Sequence, residues 1–184
     1  MFIEKLVSIT QGLMQVFEKP EELFEKTISV SEFCKITGYS PSTVYRWLRE
    51  GKIKGFRCGV YWEIPIYEVL KFIKEPLKIT VKGIEVNVEP LIAHELLSFE
   101  NECLKAGGVV QIRTSMMGYP GYGRNEILLV CYRGSTELSS KYVKVSDEVL
   151  KILSILAKGS GYVKEFLDKL WLKTWELIKT KLGK

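Results

Sequence analysis

The chain has 184 residues, of which 46% are hydrophobic and 27% charged, enough to bury a core in one or two small domains. Its net charge of +5 is uneven: −2 over residues 1–27, +3 over 28–75 and +4 over 76–184, so the basic excess spares the N-terminus and suits a polyanionic partner. Cysteines at 34, 58, 103 and 131 form no CxxC pair, His94 is the sole histidine, and no apolar run nears the ~18 residues of a membrane span. These features argue against a metal site, a cofactor or a membrane partner. With no signal-peptide pattern at the start, a reduced, cytoplasmic protein is expected.

Phe2, Leu6, Ile9, Leu13 and Val16 form an apolar stripe at heptad spacing. It reads either as a helix packed on its own domain or as a dimer seam. Pro20 then opens a short helix with Glu21 and Glu22 in its first turn, and Leu23 and Phe24 are expected to pack it on the segment that starts at Ile28.

From Ile28 the signals are dense. Ser29 with Glu32 three residues on is a capping-box pattern, Phe33 and Ile36 supply an inner face, and Gly38 stops the helix. Ser40 caps a second helix with Pro41 at its first position. Val44, Trp47 and Leu48 recur at helical spacing and should face inward. Ser42, Thr43, Tyr45, Arg46 and Arg49 are left on the other side, and Gly51 ends the helix. Two short helices across a tight turn make a helix-turn-helix. Lys54–Cys58 and Tyr61–Ile64 flank Gly59-Val60 as a hairpin, Pro65 ends its second strand, and Tyr67 to Ile73 suggests a closing helix.

This stretch resembles the winged helix-turn-helix of the excisionase-like and MerR-like DNA-binding families. The matching residues are Gly38-Tyr39-Ser40, Ser42 to Arg46, Glu50 to Ile53, Phe56 to Gly59 and Trp62 to Pro65, about a quarter of the chain. The resemblance implies that the second helix enters the major groove and that the wing follows the backbone or the minor groove of double-stranded DNA. Ser42, Tyr45 and Arg46 would then approach base edges, and Thr43, Arg49, Lys52, Lys54 and Arg57 would touch phosphates. Ser40 and Tyr61 complete that surface. Family wings carry two or three arginines; here the comparable positions are Val60, Tyr61 and Glu63, which leaves Arg57 as the main wing cation.

Glu75-Pro76 marks an expected boundary, giving three segments: 1–27, 28–75 and 76–184. Beyond it, Leu77–Val81 and Ile84–Val88 alternate around Lys82-Gly83 as a hairpin. Pro90 opens a helix through about Ala106. Val109–Thr114 and Ile127–Arg133 read as strands, with a further strand at Tyr142–Val145. Ser146 caps a helix through Lys158, and a last helix runs from Tyr162 to about Lys181. The expected class is therefore α+β, a winged helix-turn-helix followed by a small domain of antiparallel strands and two C-terminal helices, serving dimerisation or partner contact.

No catalytic constellation stands out. His94 has no arranged partner in the sequence, and the glutamates read as solvated helix faces. The Gly118–Arg124 loop is the best ligand-site candidate outside the winged helix, but it matches neither a Walker A loop nor a dinucleotide fingerprint. The expected protein is not an enzyme but a sequence-specific DNA-binding regulator. The alternatives are an excisionase-type recombination directionality factor and an assembly module that uses the winged helix to bind protein. Asp occurs only at 147 and 168, Asn plus Gln number six, and Lys and Glu abound. That composition points toward a hot source, such as a mobile element or virus of a thermophile.

Overall fold

The computed structural model describes residues 19–114, 125–158 and 162–183. The apolar stripe of residues 2–18 and the Gly118–Arg124 loop lie outside them. The fold is mixed helix and antiparallel strand. Its first part comprises α1 (Pro20–Leu23), β1 (Thr27–Ser29), α2 (Val30–Thr37), α3 (Pro41–Arg49), β2 (Phe56–Cys58), β3 (Tyr61–Pro65) and a 3-10 helix (Ile66–Phe72). Then come β4 (Leu77–Val81), β5 (Ile84–Val88), α4 (Pro90–Lys105), β6 (Val109–Thr114), β7 (Glu126–Arg133), β8 (Thr136–Lys144), α5 (Asp147–Leu156) and α6 (Tyr162–Leu182).

Among the described residues three sheets result, ordered β1-β3-β2, β4-β5 and β6-β7-β8. The strand β1 carries no signal in the sequence. It is three residues long, and it exists because Ile28 pairs with Ile64 across the sheet with both side chains buried. The last strand is longer than expected, nine residues instead of four. It forms an edge whose side chains are exposed except Val143, so no alternating hydrophobic signal marks it. The segment after Pro65 is a 3-10 helix buried on several sides, with Ile66, Tyr67, Val69 and Leu70 all inside.

The long helix α6 is the common wall. It packs on α1, α2, the 3-10 helix, α4, β4, β6 and α5, burying Phe166, Leu167, Leu170, Trp171 and Ile178. The short helix α1 settles on α6, with Leu23 fully buried. Hydrophobic contact runs unbroken across Glu75-Pro76, so the winged helix and the following unit share one core.

One expectation is overturned. In place of reduced thiols throughout, Cys103 and Cys131 form a disulfide, with Cα atoms 5.6 Å apart. The pair is invisible to spacing rules because 28 residues separate them; packing of the end of α4 on β7 brings them together. Gly108 makes room for the bond. A Cβ there would lie 2.5 Å from Cys131 Sγ and 2.9 Å from Cys103 Sγ. Cys34 and Cys58 are free.

Closing a loop of this length restrains the unfolded chain by about 3–4 kcal/mol. Cys103→Ser is expected to lower Tm accordingly, and reductant should lower the wild-type Tm by a similar amount. A wild-type melt unmoved by reductant would argue against the bond.

Candidate nucleic-acid interface

The two helices of the motif are held by their caps. Ser29 Oγ accepts the Glu32 N–H at 3.2 Å, and the Glu32 carboxylate accepts the Ser29 N–H at 3.1 Å, which is the expected capping box. Gly38 turns left-handed and gives its N–H to Cys34 O. Ser40 Oγ then accepts the Thr43 N–H at 3.4 Å, and lies 3.0 Å from both the Ser42 and Thr43 hydroxyls. Ser40 is thus first a cap, which places the Ser42 and Thr43 hydroxyls at the N-terminus of α3.

Rotation of α3 about its axis is fixed from inside. Val44 and Leu48 are buried, and Trp47 stacks on Phe72 with centroids 5.1 Å apart. Tyr39 packs edge-on to both rings. Three aromatic rings from the turn, α3 and the 3-10 helix therefore lock the helix in one orientation. The same lock leaves Ser42, Tyr45, Arg46 and Arg49 exposed on the opposite side, with Thr43 half-buried at its edge.

The wing is short. Arg57 pairs with Trp62 and Cys58 with Tyr61, around a turn at Gly59-Val60. It closes against α3 at Gly55, where a Cβ would meet Leu48 Cδ2 at 2.6 Å and the Glu63 carbonyl at 3.1 Å. Any larger residue there would lever the wing away from the helix. The Arg57 guanidinium lies 5.6 Å from the ring centroid of Trp62, its partner on β3, so the wing cation is drawn across the hairpin. At the tip, Val60 is 81% and Tyr61 74% exposed, with Phe56 also outward. Glu63, at one of the positions comparable to family cations, accepts a hydrogen bond from Thr27 Oγ1 in β1.

The remaining cations divide. Lys52 Nζ lies 2.9 Å from Glu50, and Arg46 Nε lies 3.9 Å from the same side chain. The Lys52 hydrogen bond holds the Glu50 carboxyl below its ordinary range. Such exposed pairs are weak, so a phosphate can take both cations from Glu50. Lys54 is different. Its ammonium pairs with Glu102 on α4, which raises the lysine pKa, and so it points toward the second unit.

A buried carboxylate anchors the whole arrangement, and it corrects the reading from sequence. Glu68 is expected there on a solvated face and His94 without a partner. Instead Glu68 is fully buried and His94 nearly so. Glu68 Oε1 accepts from His94 Nε2 at 3.0 Å; Oε2 accepts from Lys71 Nζ at 2.8 Å and the Lys54 N–H at 3.0 Å. Lys71 also donates to the Lys52 carbonyl. Burial alone would raise the Glu68 pKa, but the bonds from His94, Lys71 and Lys54 outweigh it and leave it lowered. The loop leading into the wing is thereby tied to the 3-10 helix and to α4. The available sequence signal is a lone charge inside the apolar run Ile66 to Leu70; its partner, 26 residues away, gives no local sign. Among the described residues, no group of three or more His, Cys, Asp or Glu side chains is arranged to hold a metal ion.

Glu68→Ala would strand His94 and Lys71 beside an empty site and should cost about 3–5 kcal/mol, seen as a fall in Tm. A carboxyl with a lowered folded pKa adds stability that is present above its unfolded value and lost as pH falls through the folded one. Glu68→Gln should therefore flatten the acid limb of the stability curve. An unchanged acid limb would dismiss the ionised network.

Residues 27–76 match a family model described as a helix-turn-helix domain, in a segment that begins at β1 and ends just past the 3-10 helix. Searches among curated proteins and among solved structures return no match. No described helix is long and apolar enough to cross a membrane. The chain carries, in this segment, a helix-turn-helix domain of the DNA-binding type.

Proposed function

We infer that the protein is a sequence-specific DNA-binding regulator that works by binding and not by catalysis. The observation that carries this reading is the outer face of α3. Its inner side is locked by Val44, Trp47 and Leu48, so Ser42, Tyr45, Arg46 and Arg49 stand outward at fixed positions. Such a helix fits the major groove, where arginine can bond guanine in bidentate fashion. Arg46 is the base reader in this pose, with Tyr45 and Ser42 beside it. Thr43, Arg49 and Lys52 meet phosphates, and Arg57 adds a weaker contact from the wing. Lys54 is paired with Glu102 at the surface and would leave that weak pair to meet a phosphate.

One such unit offers few phosphate contacts, and specific binding then calls for two copies on a two-fold site. Residues 76–184 would supply the dimer or partner contact. The Cys103–Cys131 disulfide together with the Lys- and Glu-rich composition supports a hyperthermophilic source, where intracellular disulfides occur. A second reading is favoured by the exposed Val60 and Tyr61 at the wing tip and Phe56 at the start of β2. In it the winged helix binds another protein.

Selection of bound duplexes from a random pool, followed by gel shifts on the winner, tests the first reading. Arg46→Ala is expected to relax base preference at one position, at a cost of about 1–3 kcal/mol. Arg49→Ala should weaken binding to all duplexes alike and shallow the salt dependence. Wild-type affinity in both variants would dismiss this docking. Absence of binding to any duplex at low salt would favour the protein-binding reading.

A further inference from the structure

A cavity of about 200 Å³ lies between α1, the second half of α4, the start of β6 and the first turns of α6. Phe24, Leu104, Leu167 and the Trp171 ring give it apolar walls. One carboxylate stands inside them. Glu100 is 6% exposed, and among the described residues its one hydrogen bond comes from Trp171 Nε1 to Oε2, at 2.7 Å. Its other oxygen receives no protein donor from these residues, although the side chain lines the cavity.

Glu21, Lys164 and Asp168 complete the polar lining. The Lys164 ammonium is shared by Asp168, at 3.1 and 3.2 Å, and Glu21, at 3.9 Å. Three carboxylates thus face a single ammonium, and Lys164 makes no hydrogen bond to Glu100. Burial pushes Glu100 up to about 7, against the lowering effect of the Trp171 bond. The Lys164 ammonium is thus committed to Asp168 and Glu21, and Glu100 faces the cavity with no cation hydrogen-bonded to it among the described residues.

These groups define the chemistry of a guest. An anion would meet Glu21, Glu100 and Asp168. A neutral apolar guest would desolvate Glu100 further without a compensating bond. An ammonium on an apolar body would supply a charge-assisted hydrogen bond and fill the walls. Apolar cavities of about 150 Å³ hold a benzene ring, so this one suits a single-ring body.

We propose that this cavity binds a small organic monocation, a primary amine on an apolar body of about one ring, with Glu100 as its counter-ion. The proposal does not depend on DNA binding. Its test is calorimetric titration of the full chain near pH 8, where Glu100 is ionised, with benzylamine and with benzyl alcohol as the neutral analogue. Benzylamine should bind once per chain, at least about tenfold more tightly than the alcohol, a difference of about 1.4 kcal/mol. In Glu100→Gln that preference should disappear while alcohol binding stays as it was. A smaller gap in the wild-type chain, a gap that survives Glu100→Gln, or no saturable benzylamine binding would overturn the site. The wild-type comparison stands even if the variant fails to fold.

Discussion

The seam between the winged helix and α4 depends on one buried carboxylate, that of Glu68. Glu68 collects the imidazole of His94, the ammonium of Lys71 and the amide of Lys54, groups from α4, the 3-10 helix and the loop before the wing. In a dry interior an unpaired carboxylate would be intolerable; with three donors it becomes a directional joint. Apolar packing could press the winged helix against α4 in several registers. A carboxylate with both oxygens assigned accepts only one of them. The Lys54–Glu102 pair adds a second tie along the same seam.

That joint explains a cost to the proposed recognition surface. A cation that family logic assigns to phosphate is used to fasten the two units together. Another, Arg57, lies on Trp62. The side chains left to meet a groove are concentrated on α3. The wing tip, carrying Val60 and Tyr61, contributes shape and apolar area in place of charge. Orientation of α3 is secured by Trp47, Phe72 and Tyr39, so its exposed side is positioned by the packing behind it.

The helix α6 gives the molecule its continuity. Through Trp171 it touches Tyr67 of the winged helix, with centroids 5.9 Å apart, and donates to Glu100 at the cavity wall. The helix-turn-helix, the buried joint and the cavity thus lie on one connected frame. The disulfide braces that frame, tying the end of α4 to the central strand β7.

Local rules determined much of this protein. Ser29 with Glu32, Gly38, Ser40-Pro41 and Gly59 act within a few residues of themselves, so their caps and turns are legible in the chain, and with them the helix-turn-helix. The helices from Pro90, Ser146 and Tyr162 are legible for the same reason, because an apolar stripe at period 3.6 is a local signal. Other features are products of long-range pairing. The strand β1 exists only because Ile64 lies opposite Ile28, and β8 only because β7 offers an edge to a polar sequence. Cys103 needs Cys131, 28 residues away, and Glu68 needs His94 across the seam. Lys54 reads as a phosphate ligand from the chain, and only the fold sets Glu102 beside it. The sequence by itself determined which helix faces outward. Tertiary structure alone decided which charges stay there, because a side chain's partner is set by distance in space and not along the chain.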